Sequence, residues 1–238
     1  MIGLYHGGPC GHSAAVLIAL AEKRLAYDEQ TIELAAFGQF APGFLEINPT
    51  AQVPVLEDAK GRLLTESFFI LLWLDETHPQ PPLGGEDARA RYEVHKWGKY
   101  VETHIAPNLA IWRWAERGGE APGAEPIARL PQERRALWER AAAGFSAGEV
   151  GRARLALVKA LERMAADIAG GGWLASEDYS LADIAAYPHI AQLAELGIAV
   201  PERIEEWLTR IAVRPAVREA AGDLLTVATM GPEPGRWG

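Results

Sequence analysis

The stretch Asn48-Pro49-Thr50-Ala51-Gln52-Val53-Pro54-Val55-Leu56 decides the fold, together with Leu64-Thr65-Glu66-Ser67 a few residues later. Pro54 stands between two β-branched residues at the start of an apolar strand, where proline gives the sheet no ladder donor. A cis bond before Pro54 removes this difficulty, because the chain then turns and presents the Val53 backbone outward. We therefore predict a cis-proline turn that leads into a strand.

Glu66 and Ser67 stand where a helix is predicted to begin. The carboxylate of Glu66 suits an amine, whereas the Ser67 hydroxyl and the free N–H groups of a first helical turn suit a carboxylate. Together with the Val53 backbone, these groups would hold a zwitterionic peptide such as glutathione.

These residues, at this spacing, resemble the glutathione S-transferase family, and the resemblance covers nearly the whole chain. It implies an α/β thioredoxin-like domain over residues 1–80, followed by an all-α domain over residues 86–238. In the first domain we expect strands at residues 3–5, 27–33, 55–58 and 62–65, and helices at 13–23 and 66–76.

The second domain is predicted to be helical throughout. Residues 77–85 are rich in proline and glycine, which is typical of a linker. A long amphipathic helix is expected over residues 87–117, because apolar residues recur there at every fourth position with one slip. They are Trp97, Val101, Ile105, Leu109 and Trp112. Further helices are expected at residues 132–143, 146–168 and 201–211, and the tail from Met230 is rich in glycine and proline.

Two helix starts have the pattern of a capping box. Ser180 and Asp183 lie three residues apart, as do Ser146 and Glu149, so each serine can cap the helix while the acidic residue reaches back. The stretch Tyr179-Ser180-Leu181-Ala182-Asp183-Ile184 also resembles the box that starts a helix in the family's second domain.

Composition limits the possible functions. The chain has 238 residues, 49% of them hydrophobic, and a net charge of −9, which argues against nucleic acid as a partner. Apolar runs stay well short of the ~20 residues that span a membrane, and a single cysteine fits the cytoplasm. The six histidines lack ligand-like spacing, so we expect no metal.

The segment His6-Gly7-Gly8-Pro9-Cys10-Gly11-His12-Ser13 joins the first strand to the first helix. Its glycines allow close approach of a ligand, and the following helix presents its positive end. A thiolate placed there would have its pKa lowered from about 8–9 toward neutrality. The resemblance implies this chemistry: the family ionises the glutathione thiol and aims it at an electrophile.

Three side chains compete for contact with the sulfur. Ser13 falls where etherase-like members place a serine, although it could be a plain N-cap. Cys10 falls where omega-like members carry a reactive cysteine, although a lone cysteine is more often a small buried thiol. His12 occupies the place of a cysteine in beta-class members, and the alternative is a surface-loop histidine.

The resemblance also implies the remaining glutathione contacts. Val53, flanked by Gln52 and Pro54, pairs its backbone with the cysteinyl part, as an added strand does. Glu66 and Ser67 hold the γ-glutamyl end. Gln39 reaches the glycyl carboxylate, or else is simply solvated on its loop.

The electrophile is expected between the 10–13 loop and the long helix. Candidate wall residues of this pocket, for which core packing is the alternative, are Tyr100, His104, Asn108 and Trp112. Eight tryptophans suit an aryl substrate by stacking. Residues 137–145 resemble the bacterial β-aryl-etherases, which cleave lignin-derived aryl ethers with glutathione.

The favoured function is thus a cytoplasmic glutathione transferase that uses glutathione as co-substrate against a hydrophobic electrophile. It would serve aromatic catabolism or detoxification. One alternative is an omega-like glutathionyl lyase or thiol reductase that uses Cys10, and another is a non-catalytic glutathione-binding relative. The resemblance also implies a homodimer, with aromatic residues such as Phe68, Phe69 or Trp73 as contributors.

Overall fold

The computed structural model describes residues 1–8 and 11–221. Cys10 and the tail from Met230 therefore lie outside the described residues. The N-terminal part contains a four-stranded sheet in the order β2-β1-β3-β4. Its strands are β1 (Ile2–His6), β2 (Tyr27–Thr31), β3 (Val55–Glu57) and β4 (Leu63–Leu64).

The sheet is mixed, as a thioredoxin-like domain requires. β1 pairs in parallel with β2 and antiparallel with β3, where Leu4 lies opposite Leu56, and β3 pairs antiparallel with β4. The parallel β1–β2 pair needs a crossover, which is α1 (Gly11–Glu22). Two further helices follow in this part, α2 (Pro42–Ile47) and α3 (Ser67–Thr77). The predicted α/β class is confirmed.

The rest of the described chain is helical. The helices are α4 (Ala88–Tyr100), α5 (Ala106–Arg117), α6 (Ala124–Ala128), α7 (Gln132–Ala143), α8 (Ala147–Gly171), α9 (Leu181–Ile190), α10 (Glu202–Ala212) and α11 (Pro215–Ala221). The helical second domain is thereby confirmed, whereas the boundaries at residues 80 and 86 stay a prediction. In the portion of the chain that is described, no helix has both the length and the apolar character needed to cross a membrane.

The long helix predicted over residues 87–117 is interrupted by a π-helical turn, Val101–Ile105. Apolar residues at every fourth position advance about 40° around an α-helix at each step, so a stripe of several such steps would leave the core. The wider π turn absorbs this drift, and Trp97, Val101, Ile105 and Leu109 all lie in one core.

Both predicted capping boxes are confirmed. Ser146 and Glu149 exchange side-chain and backbone hydrogen bonds at the start of α8. At the start of α9, the Asp183 carboxylate accepts from the Ser180 N–H at 3.0 Å, and the Ala182 N–H donates to the Ser180 hydroxyl.

A buried lysine fixes the linker between the two parts. The Lys23 ammonium donates to Asp75 at 2.7 Å and to the carbonyls of His78 and Pro81 at 2.7 and 2.9 Å. Asp75 in turn accepts from the Leu83 N–H. The helical part therefore docks on α1 with a defined geometry, and α1 packs against both α9 and α11.

Helices α6 and α7 pack on the N-terminal part through a second, smaller core. The Trp138 ring is buried and lies 5.4 Å from the ring of Phe40. Ala51, Ile127 and Leu130 complete this core. The loop that precedes the cis-proline turn is thus covered by the helical part.

Candidate functional site

The turn before β3 contains the predicted cis bond between Val53 and Pro54. The buried side chain of Asn48, which was not among the predicted site residues, holds this turn. Its amide nitrogen donates to the Gln52 carbonyl at 2.8 Å, and its amide oxygen accepts from the Thr50 N–H at 3.1 Å. The signal was the asparagine four residues before Gln52, because asparagine side chains commonly hydrogen-bond nearby backbone.

Helix α3 begins at Glu66-Ser67, the second pair of residues predicted to bind the peptide ligand. Glu66 immediately precedes the helix with φ at 67°, in the left-handed region, and is solvent-exposed. Ser67 is the first helical residue and is buried. A left-handed residue before the first turn directs the chain sharply into α3, so that the Ser67 hydroxyl faces the protein interior.

The loop after β1 approaches the cis-proline turn closely. A Cβ on Gly7 would lie 2.2 Å from the Leu34 side chain and 3.1 Å from the Val53 side chain, so any larger residue would force the Leu34 side chain to move. The Gly7 N–H donates to the Ser13 hydroxyl at 3.3 Å. Ser13 is fully buried in the first turn of α1.

Helix α1 (Gly11–Glu22) already includes the residues before Ser13, where the sequence predicted it to begin. His12 is therefore part of the helix and only 7% exposed, so the expectation of a surface-loop histidine is wrong. Its Nδ1 lies 3.0 Å from the Ser67 Oγ. The first turns of α1 and α3 therefore meet at one point. Each of these helix N-termini carries the positive end of its helix dipole.

A carboxylate from the helical part reaches the same point. The Ser67 hydroxyl donates to Glu102 Oε1 at 3.0 Å, and that oxygen lies 3.8 Å from His12 Nδ1. Glu102 belongs to the π-helical turn and its side chain is 17% exposed. Glu102 was not among the predicted site residues; the available signal was the run of four-residue steps from Trp97 to Leu109, which an unbroken α-helix could not keep in one core.

His189 of α9 closes the site from the other side. Its ring lies edge-on to His12 with 4.8 Å between centroids. A Cβ on Gly11 would lie 2.5 Å from the His189 ring, so the ring rests directly on the backbone of α1.

The candidate wall residues of the electrophile pocket make most of their described contacts within the helical part. The Tyr100 ring lies 4.3 Å from the Arg163 guanidinium on α8 and stacks on the exposed His104 ring at 4.6 Å. Asn108 donates to the His104 carbonyl of its own helix. The Trp112 indole is 9% exposed and donates to the Leu196 carbonyl at 2.9 Å, which is core packing.

Gln39 is also placed differently from expectation. It is 2% exposed rather than solvated, and its side-chain oxygen has no hydrogen-bond partner among the described residues. A carboxylate ligand could bind only the amide nitrogen, since the oxygen is an acceptor. Contact with a glycyl carboxylate stays a prediction, as do the ligand roles of the other site residues.

Both parts of the chain are similar to known proteins. Residues 9–77 match the family model of the glutathione S-transferase N-terminal domain, and residues 133–215 match that of the C-terminal domain. Protein LigF of Sphingobium sp. (strain NBRC 103272 / SYK-6) is 27% identical over 236 residues, 91% of each chain. FtsZ-localized protein A of Caulobacter vibrioides is 27% identical, covering 89% of this chain and 86% of that protein.

Solved structures agree with these matches. The crystal structure of beta-etherase LigF gives a TM-score of 0.84 at 26% identity, covering 93% of this chain and 99% of that one. A glutathione transferase homologue from sulfitobacter, crystallised with bound glutathione, gives 0.73 at 21% identity, covering 94% and 98%, which shows the shared fold. The two family models together span more than half of the chain, and this protein therefore belongs to the glutathione S-transferase family.

Proposed function

We propose that this protein is a glutathione transferase that binds glutathione at the meeting point of α1, α3 and the cis-proline turn. The observation that carries the proposal is the 3.0 Å contact between His12 and Ser67, which joins two helix N-termini beside the Val53 turn. Two converging helix dipoles and free N–H groups suit a ligand with two anionic groups, a carboxylate and a thiolate.

Each part of glutathione then has a place. The Val53 backbone, between Gln52 and Pro54, pairs with the cysteinyl residue. Glu66 and Ser67 hold the γ-glutamyl ammonium and carboxylate. Gln39 serves the glycyl carboxylate through its amide nitrogen.

The thiol is ionised at the start of α1. Ser13 is the proposed donor to the sulfur, because its hydroxyl lies in the first turn of α1, where the helix presents its positive end, and next to the Gly7 N–H. In binding assays at neutral pH, the wild type should shift the bound thiol's ultraviolet absorbance to that of a thiolate. Ser13→Ala should keep binding and raise the pKa of the bound thiol; an unchanged titration would refute this role.

The finer proposal is cleavage of a β-aryl ether, supported by the full-length similarity to LigF. The thiolate sulfur attacks the carbon that bears the aryloxy group, next to the ketone carbonyl, and forms a C–S bond while the C–O bond breaks. The phenolate leaves with the electron pair and takes a proton from solvent. Tyr100, His104 and Asn108 remain the proposed pocket residues, whereas the packing of Trp112 favours a structural role.

A synthetic β-aryl ether that releases a coloured phenol tests this reaction. Phenol release should require glutathione and yield one thioether per phenol. If the protein conjugated a simple aryl halide but cleaved no ether, the proposed ether cleavage would be refuted and the proposed glutathione transferase activity would stand.

The alternative with Cys10 as nucleophile makes a distinct prediction. A glutathionyl lyase would lose all activity on a glutathionylated substrate in Cys10→Ala, whereas ether cleavage would survive the same change. The similarity to FtsZ-localized protein A favours a second alternative, a binding protein that kept the scaffold. Such a protein would bind glutathione without ionising its thiol.

We also propose a cytoplasmic homodimer that acts in aromatic catabolism or detoxification. Phe69 on α3 and Tyr92 on α4 are 67% and 58% exposed, and both are large hydrophobic residues. Phe68 is buried and so contributes to the core instead. A sedimentation measurement should give twice the monomer mass, and Phe69→Ser should shift it to the monomer.

A further inference from the structure

Three polar side chains from three elements meet where α3 begins. His12 comes from α1, Ser67 from α3 and Glu102 from the π-helical turn. The Ser67 oxygen is 3.0 Å from both His12 Nδ1 and Glu102 Oε1. Ser67 is 3% exposed and His12 7% exposed, so both hydrogen bonds are shielded from water.

The polarity of these bonds follows from the chemistry of the groups. A carboxylate only accepts, so the single Ser67 hydroxyl hydrogen points to Glu102. The Ser67 oxygen must then accept from His12, which places a hydrogen on His12 Nδ1. Ser67 thus has no further hydrogen to give in this arrangement.

We infer that His12 is a positioning residue for the γ-glutamyl carboxylate of glutathione and acts through Ser67; this inference rests on the proposed function. The His12 Nδ1–H holds the Ser67 oxygen in place. When the γ-glutamyl carboxylate binds, the Ser67 hydroxyl hydrogen rotates from Glu102 to that carboxylate. The α-ammonium of the same group supplies the donor that Glu102 loses.

The surroundings make His12 a rigid donor. The His189 ring packs edge-on against it at 4.8 Å and also rests on the Gly11 backbone. A donor held in this way positions the Ser67 oxygen with little loss of side-chain entropy on binding. The site would therefore discriminate glutathione from thiols that lack the α-carboxylate.

The test uses two ligands and a matched pair of variants. Glutathione is compared with 4-aminobutyryl-cysteinyl-glycine, which lacks only the α-carboxylate. His12→Asn places an amide N–H where Nδ1–H was, whereas the longer side chain of His12→Gln moves its donor away. Affinities are measured by calorimetry on the full-length protein.

We expect His12→Gln to weaken glutathione binding about tenfold, or ~1.4 kcal/mol, and His12→Asn to stay within about threefold of wild type. Both variants should bind the 4-aminobutyryl analogue as wild type does. In steady-state assays the His12→Gln change should appear in KM for glutathione, with kcat at saturation unchanged. In a Ser67→Ala background, His12→Gln should have no further effect on glutathione affinity.

Several outcomes would overturn the inference. If His12→Gln lowered the affinity for glutathione and for the 4-aminobutyryl analogue equally, His12 would act in general packing or in contact with the sulfur. No loss in His12→Gln, or an additive loss in the Ser67→Ala background, would show that His12 does not act through Ser67. A wild type that binds no glutathione would instead overturn the proposed function, and this inference with it.

Discussion

Replacing Asp183 with asparagine perturbs the capping box of α9 with almost no change in shape. Asp183 is completely buried, and its carboxylate accepts four hydrogen bonds. One oxygen accepts from the Trp207 indole at 2.8 Å and the Leu174 N–H at 3.1 Å. The other accepts from the Ser180 N–H at 3.0 Å and the Ser180 hydroxyl at 3.1 Å.

The size of the effect follows from these partners. The asparagine amide nitrogen would face the Ser180 side, because the hydroxyl there can rotate to accept while Trp207 and Leu174 are fixed donors. The buried Ser180 N–H then has no acceptor, which costs about 1–3 kcal/mol, and the other bonds lose their charge assistance. We therefore expect a loss of about 2–4 kcal/mol in the free energy of unfolding.

Urea unfolding followed by tryptophan fluorescence measures this loss, provided that the m-value is unchanged. The second capping box supplies a control near the surface: Glu149 accepts similar bonds from Ser146, its side chain is 24% exposed, and its other oxygen pairs with Arg140. Glu149→Gln should cost less than about 1 kcal/mol. Equal effects at the two boxes, or no effect at Asp183, would refute the reasoning that burial sets the magnitude.

The pH dependence gives an independent check. Burial raises the pKa of Asp183 above 3.8, against the opposing hydrogen bonds from Trp207, Leu174 and Ser180. The native state thus binds this proton more tightly than the unfolded chain, so its contribution to stability falls as pH rises above about 3.8 and levels off above the native pKa. The stability gap between wild type and Asp183→Asn should narrow over that window; a gap that widens would contradict the shift.

Three further predictions concern the parts around the site. Gly11→Ala should lower the thermal midpoint, because its Cβ would lie 2.5 Å from the His189 ring, and His189→Ala in the same chain should restore most of it. The backbone N–H of Arg62, with the Arg62 guanidinium and the Lys60 N–H, holds the pKa of Asp58 at about 2. The contribution of the Asp58 carboxylate to the free energy of unfolding should therefore be lost only as pH falls from 3.8 toward 2. An NMR titration midpoint for Asp58 at 3.8 or above would contradict this. Trp138→Ala should cost about 3–5 kcal/mol and speed hydrogen exchange at residues 37–51; unchanged exchange there would show that α7 does not hold that loop.

The sequence predicted what local chemistry determines. The capping boxes at Ser146 and Ser180 depend on residues three positions apart, and the cis bond depends on Pro54 and its two β-branched neighbours. The family resemblance located the four strands, and hydrophobic periodicity together with the resemblance located the long helical segment of the second part.

Tertiary packing decided the rest. His12 becomes buried because it lies within α1 and packs against the His189 ring of a distant helix. Glu102 reaches Ser67 only because the π-helical turn resets the register of the long helix. Trp138 acts through contacts with Phe40 and Ala51, which lie about 90 residues earlier and cannot be read from its neighbours in sequence.

A crystal structure of the full-length protein with glutathione tests the central claim most directly. The γ-glutamyl carboxylate should lie within about 3.2 Å of the Ser67 hydroxyl, and the cysteinyl backbone should pair with Val53 beside Pro54. The sulfur should point to the first turn of α1. Glutathione bound elsewhere, or absent at saturating concentration, would contradict the account.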